Sequence, residues 1–131
     1  MQASKRVFRI VAWIANTIIG LVIVAYIAAN VLIGWGVRSD SSRAVAKFSG
    51  DRIEALIATV NCQTCSLHDR NRSVWALGQL RDKRALPVLH KYYTGKRCDH
   101  KTQICQNELR KAIKWTEGNS FMLPQLWRPF L

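Results

Sequence analysis

A run of 24 residues without a charged side chain, from Ile10 to Ile33, is the strongest constraint on the fold of this chain. As a helix it would be about 36 Å long, enough to cross a hydrocarbon core of about 30 Å. All of its faces are apolar, which argues against a core helix of a soluble protein. A cleaved signal peptide is the main alternative, but the apolar region of such a peptide usually has only about 7–15 residues. We therefore predict an uncleaved transmembrane helix over residues 10–33.

Basic residues lie on both sides of this run in nearly balanced number, and Arg38, Arg43, Lys47 and Arg52 follow it. Lys5, Arg6 and Arg9 form a basic flank over residues 1–9. A basic cluster directly before a first apolar helix favours a cytoplasmic N-terminus. The rest of the chain is then expected outside the cytoplasm, and a bacterial inner membrane fits this arrangement.

Three residues of the predicted span are candidates for packing against another helix. Asn16 and Asn30 are polar, and Gly20 continues a stripe of small or polar residues that begins at Ala12. Polar side chains in lipid usually face a second helix. The pattern therefore predicts a partner that is an integral membrane protein complex.

Residues 34–50 are predicted to be a short juxtamembrane connector. Gly34, Gly36 and the Ser-Asp-Ser-Ser sequence at 39–42 are typical of irregular structure. At most we expect a short helix over residues 41–48, with an inward face formed by Ala44, Val45 and Phe48.

Residues 71–93 predict two amphipathic helices joined by a tight, charged turn. The first carries Val74, Leu77 and Leu80 on one face, and the second carries its apolar residues at Leu86, Leu89 and Tyr93. In the turn, Asp82 is a plausible N-cap and Pro87 falls in the first turn of the next helix, where its missing N–H costs little.

This segment resembles the junction between repeats in HEAT-type α-solenoids of the HEAT/PBS-lyase-like kind. The resemblance is most specific from Ala76 to Pro87, in the sequence Ala-Leu-Gly-Gln-Leu-Arg-Asp-Lys-Arg-Ala-Leu-Pro. In that family the Asp and Arg of the turn often form a ladder between repeats, and Asp82 and Arg84 match those positions. Over residues 51–116 the resemblance implies an all-α domain that binds proteins.

The same region contains two similar helical pairs, 51–60 with 70–80 and 83–94 with 102–116. Two repeats are fewer than the roughly three that a solenoid needs to bury a continuous core. The domain at 51–117 is therefore expected to gain stability from its cysteines, from the C-terminal tail at 118–131, or from a partner.

Two cysteines follow the first helix of each pair, Cys62 and Cys65 in the first pair and Cys98 and Cys105 in the second. The simplest prediction is two disulfides, Cys62 with Cys65 and Cys98 with Cys105, and pairing across the two loops, which would lock the helical pairs together, is the other arrangement; both suit an oxidising compartment. The alternative is a zinc site built from all four thiolates in a cytoplasmic interaction module, with His68 and His100 as substitute ligands. A thiol-redox role for the Cys-Gln-Thr-Cys sequence is a weaker third reading, because no βαβ pattern surrounds it.

The tail is very apolar for a chain terminus, and two explanations fit it. It either caps the open end of the last helical pair or acts as a hook that inserts into a partner. The residues expected to anchor such a hook are Phe121, Leu126, Trp127 and Phe130.

The chain carries a formal net charge of +12, which favours contact with anionic lipid headgroups or an acidic protein surface. Arg81, Lys83 and Arg84 in the charged turn are the basic residues most suited to a partner. No nucleotide-binding, nucleophile-elbow or metalloprotease motif is present, so we expect no catalysis, no small-molecule substrate, no cofactor and no nucleic-acid partner. The sequence thus predicts a membrane-anchored, two-repeat HEAT-like scaffold, an accessory subunit of a larger membrane complex.

Overall fold

A computed structural model describes the backbone of residues 2–119 and 125–130, and the side chains of residues 6–119 and 125–129. It contains five α-helices: α1 (Gln2–Lys47), α2 (Arg52–Asn61), α3 (Leu67–Leu80), α4 (Leu86–Tyr92) and α5 (Gln106–Thr116). Short 3-10 helices span Lys83–Ala85 and Arg128–Phe130. These residues include no strand, so the predicted all-helical class is confirmed.

Helix α1 is 46 residues long and continues through the predicted connector to Lys47. The expected break at Gly34, Gly36 and the serine-rich stretch is therefore wrong. Its last part packs against α2 and α3, with Val37 and Ala44 buried there. Because tertiary packing commonly overrides weak local propensity, the glycines remain helical. Val45, which was expected to face inward, is exposed.

The remaining helices form two pairs, α2 with α3 and α4 with α5, and α3 packs against α5 to join the pairs. One leucine from each helix is fully buried in the shared core: Leu56, Leu77, Leu89 and Leu109. The end of α1 covers α2 and α3 on the other side. This part of α1 supplies an additional helix to the domain, a source of stability beyond the predicted cysteines, tail and partner.

Local sequence explains where these helices begin. Asp51 and Glu54 form a capping box at the start of α2, and the Ser66 side chain accepts from the backbone N–H of Asp69 at the start of α3. The predicted N-cap at Asp82 is also present, with its carboxylate accepting from the backbone N–H of Arg84. Pro87 lies in the first turn of α4, as predicted.

The contact between α3 and α5 depends on Gly78. A Cβ atom at this position would lie 2.8 Å from Ala112 Cα and 2.9 Å from Ala112 Cβ. These distances are shorter than van der Waals contact, so any side chain here would push the two helices apart. Gly78 therefore sets the spacing between the two pairs.

We expect Gly78→Val to lower the free energy of unfolding by about 1–3 kcal/mol, the usual cost of overpacking a close-packed core. Denaturant titration of the purified chain in detergent micelles, followed by circular dichroism, measures this change. Gly20→Val is the matched control, because a Cβ at Gly20 would meet no atom within 4 Å. Equal stability of the two variants would contradict the assigned role of Gly78.

Candidate functional site

The N-terminal part of α1 exposes an extensive apolar surface. Large apolar side chains are exposed around this helix, including Trp13 at 71 % and Trp35 at 72 %. By length and composition α1 is the one described helix that could cross a membrane, and none of its most apolar 18-residue window is buried. Exposed apolar surface of this extent is rare on soluble monomers and indicates a membrane or a partner.

Asn30 is hydrogen-bonded within the chain. Its side-chain oxygen accepts from the backbone N–H of Leu126 at 3.0 Å, and its amide donates to the Tyr26 carbonyl at 2.9 Å. The polar group predicted to pack against a second transmembrane helix is therefore satisfied within the chain. Asn16 and Gly20 lie on the exposed part of α1, where their predicted packing role stays a prediction.

The tail folds back onto the helices. Trp127 is only 6 % exposed and sits over Gly34, where a Cβ would lie 2.5 Å from Trp127 Cβ. Gln125 donates to Gln79 at 3.1 Å, and the Arg128 guanidinium donates to the Leu80 carbonyl.

These contacts make Trp127 a buried cap residue, which fits the capping alternative for the tail, and its role as a partner anchor stays a prediction. Leu126 remains exposed and keeps that prediction. Phe121 and the side chain of Phe130 lie outside the described residues.

The charged turn forms an ionic ladder between the two pairs. Arg84 Nη1 lies 2.6 Å from Asp51 Oδ2, and Arg84 Nη2 lies 3.0 Å from Asp82 Oδ2. Asp51 is 33 residues before Arg84, the same spacing as between the buried leucines Leu56 and Leu89 of the first helices in the two pairs. The Asp and Arg positions suggested by the family resemblance are thus brought together, with Asp51 as a third member that the pattern did not name.

This ladder shifts the acidity of both carboxylates. The backbone N–H of Glu54 and then the Arg84 side chain lower the pKa of Asp51. The Arg84 side chain is the largest cause that lowers the pKa of Asp82. The same two carboxylates raise the pKa of Arg84. Lys83, although exposed in the same turn, is not a member of the ladder.

The cysteines are in two different states. Cys62 and Cys65 form a disulfide, as predicted, whereas Cys98 and Cys105 are free thiols. The predicted bridge between Cys98 and Cys105 is therefore not formed. A zinc site with four thiolates is also wrong, because the bridged sulfurs of Cys62 and Cys65 cannot serve as thiolate ligands.

A groove between α3 and α5 was not anticipated from the sequence. It has a volume of about 430 Å³ and is lined by Trp75 and Trp115 together with His68, Asn71, Arg72, Glu108 and Lys111. Tryptophan and arginine are enriched among the residues that dominate protein interfaces. The spacing of Trp75 and Trp115 on separate helices gives no local signal, since only the α3–α5 contact brings them together.

We expect acid to destabilise the wild-type chain in part through the ladder. The pKa values of Asp51 and Asp82 are lowered in the folded state, so their contribution is present above the unfolded value of about 3.9 and is lost as pH falls through the folded values. Arg84→Ala should lower the melting temperature at neutral pH and flatten its fall below about pH 4. Lys83→Ala, the control, should keep the wild-type dependence of melting temperature on pH. Superimposable melting profiles of Arg84→Ala and wild type across this pH range would contradict the ladder.

Comparison with known proteins agrees with this geometry. The family described as PBS lyase HEAT-like repeat matches residues 69–94, which comprise most of α3, the charged turn and all of α4. No curated protein and no solved structure matches the chain. Residues 69–94 therefore carry a HEAT-like repeat, which suggests a helical scaffold for protein interaction rather than an enzyme.

Proposed function

We propose that this chain is a membrane-anchored, HEAT-like protein-binding scaffold and an accessory or stabilising subunit of a larger membrane protein complex. The observation that carries the proposal is the division of α1 into two halves. The first half exposes apolar side chains all around, and the second half is an integral part of the HEAT-like domain.

A bilayer is the environment that best accounts for the exposed half. Covering apolar surface is favourable by roughly 25 cal/mol per Å², and residues 10–33 offer such surface on every face. Trp35 follows the span and is exposed, as is typical of tryptophan at a membrane interface. Arg38, Arg43 and Lys47 are also exposed on the next turns of α1, where they would meet anionic headgroups.

Because α1 enters the domain without interruption, the domain would lie directly on the membrane surface. The basic flank before the span favours a cytoplasmic N-terminus. The Cys62–Cys65 disulfide supports an extracytoplasmic position for the domain, since such bonds persist in oxidising compartments. The bacterial inner membrane is the location that we propose on these grounds.

Two surfaces are available for the partner complex. Within the span, Asn16 and Gly20 form a face suited to close helix packing. Outside it, the tryptophan-lined groove between α3 and α5 and the exposed Lys83 would contact the extracytoplasmic part of the partner. The exposed Leu126, whose backbone N–H is bonded to Asn30, would contact the partner at the level of the span. A scaffold that binds at both levels would stabilise an assembly in the membrane.

A native gel of gently solubilised membranes tests this proposal. We expect the wild-type chain to migrate in an assembly much larger than one 14.9 kDa chain in a micelle. Gly20→Leu should shift the chain toward smaller species, because a large side chain prevents close helix approach. Ala25→Leu is the matched control, since Ala25 is exposed on α1 and lies about 180° around the helix from Asn16.

Migration of the wild-type chain only as a small monomer would contradict the subunit role. Release of the chain from membranes by alkaline carbonate would contradict the membrane anchor. If Gly20→Leu and Ala25→Leu both migrated like wild type, the packing face assigned to α1 would be wrong.

A further inference from the structure

The loop between α4 and α5 gathers three side chains that commonly bind metals. The Sγ atoms of Cys98 and Cys105 and one ring nitrogen of His100 all lie within 4.8 Å of one another. Cys98 Sγ is 3.8 Å from His100 Nδ1. None of the three is used by the disulfide, the ionic ladder or the groove between α3 and α5 described above.

These distances are close to those of a tetrahedral zinc site. With Zn–S bonds of about 2.3 Å and Zn–N bonds of about 2.0–2.1 Å, neighbouring ligand atoms lie about 3.5–3.8 Å apart. The Cys98–His100 separation already has this value. To reach the tetrahedral geometry, the distances between the three ligand atoms must shorten by about 1 Å or less, which a change in side-chain rotamers can supply.

The backbone at both ends of the loop is held in place by hydrogen bonds. Gln106 Oε1 accepts from the Thr94 backbone N–H at 2.7 Å, and Gln106 Nε2 donates to the Tyr92 carbonyl at 3.0 Å. The Cys105 N–H donates to Asn71 Oδ1 at 2.8 Å, which ties the end of the loop to α3. These contacts position the segment that carries the three side chains.

Contacts to the ligands themselves also fit a thiolate site. The Gln106 backbone N–H, at the first residue of α5, donates to Cys98 Sγ at 3.3 Å. Hydrogen bonds of this kind orient sulfur ligands and stabilise their negative charge. Asp99, between two of the ligands, accepts from the Lys101 N–H at 2.9 Å and from Thr102 Oγ1 at 3.2 Å, so its carboxylate shapes the turn that carries His100.

We propose that Cys98, His100 and Cys105 form a zinc site with three protein ligands and a water molecule in the fourth position. Cys98 and Cys105 would bind as thiolates and release their two protons to solvent, and His100 would bind as the neutral imidazole. Two thiolates balance the charge of Zn²⁺. Water reaches the fourth position from a surface cavity of about 490 Å³ that is lined by Cys98 and His100 together with Lys96, Arg97 and Arg110.

This site differs from the four-thiolate arrangement considered from the sequence. It uses one loop, needs no convergence of the two cysteine loops, and leaves the Cys62–Cys65 disulfide intact. It also does not depend on the proposed role in a membrane complex, because every ligand and every supporting contact lies within the HEAT-like domain.

Metal titration of the full-length chain, purified in detergent without reductant and treated with chelator, tests the site. We expect one Zn²⁺ per chain and, with Co²⁺, a thiolate-to-cobalt charge-transfer band together with the intense visible bands of tetrahedral cobalt. Zn²⁺ should raise the melting temperature, because it binds the folded state. Two thiols should react with a thiol reagent before zinc is added and be protected afterwards.

Substitutions identify the ligands. Cys98→Ser, Cys105→Ser and His100→Gln should each weaken Co²⁺ binding at least tenfold, and Cys98→Ser should also abolish the rise in melting temperature with Zn²⁺. His68→Gln and His90→Gln are the matched controls, since both histidines lie on helices outside the loop. Replacing Cys62 and Cys65 together by serine should leave the cobalt spectrum unchanged.

Three results would overturn the proposal. The first is a Cys98–Cys105 disulfide in the unreduced protein, seen as the absence of free thiols. The second is Co²⁺ binding without a charge-transfer band. The third is cobalt affinity that is unchanged in Cys98→Ser, Cys105→Ser and His100→Gln, which would indicate adventitious binding only.

Discussion

The buried carboxylate of Asp40 holds the last part of α1 against α3. Its side chain is only 2 % exposed, it pairs with Arg43, and its Oδ2 lies 2.7 Å from Arg72 of α3. Arg72 in turn stacks on Trp75 at 4.6 Å from the ring centroid. A buried charge that loses its partner is strongly destabilising, so this contact fixes the position of α1 on α3.

The glycine at position 36 completes this joint. A Cβ atom there would lie 3.2 Å from the Trp75 ring and 3.4 Å from the Arg72 guanidinium, so the absence of a side chain lets the helices approach. Gly36 and Asp40 of α1 thus form one packed unit with Arg72 and Trp75 of α3.

The tail contacts α1 at a second place, about two turns before Asp40. There Trp127 covers Gly34, and the Leu126 backbone N–H donates to the Asn30 side-chain oxygen. The two helical pairs are therefore completed by contacts with α1 and the tail, and the domain that they form packs directly against the second half of α1.

Features determined by neighbouring residues were predictable from the sequence. The apolar faces of α3 and α4, the cap at Asp82, Pro87 in the first turn and the Cys62–Cys65 bridge all depend on spacings of a few residues. Features determined by tertiary contact were not predictable from the sequence. Gly34 and Gly36 have low helix propensity, and only the packing of Trp127 and Trp75 over them explains why α1 continues. Similarly, the hydrogen bond from Leu126 to Asn30 joins residues 96 apart, which no local pattern can indicate. The candidate metal ligands combine both kinds of feature. The short sequence spacing of Cys98, His100 and Cys105 could be read from the sequence, but the fact that they cluster apart from Cys62 and Cys65 could not.

Helix α1 passes from its apolar half into the domain without a flexible connector. Backbone amide hydrogen exchange of the full-length chain in micelles tests this most directly, because residues 36–42 lie beyond the predicted span and receive little protection from detergent. We expect these amides to exchange as slowly as those in the middle of α3, since they belong to a packed helix. Exchange of residues 36–42 as fast as that of the exposed loop at 96–103 would contradict this and would indicate a flexible connector between the apolar half of α1 and the domain.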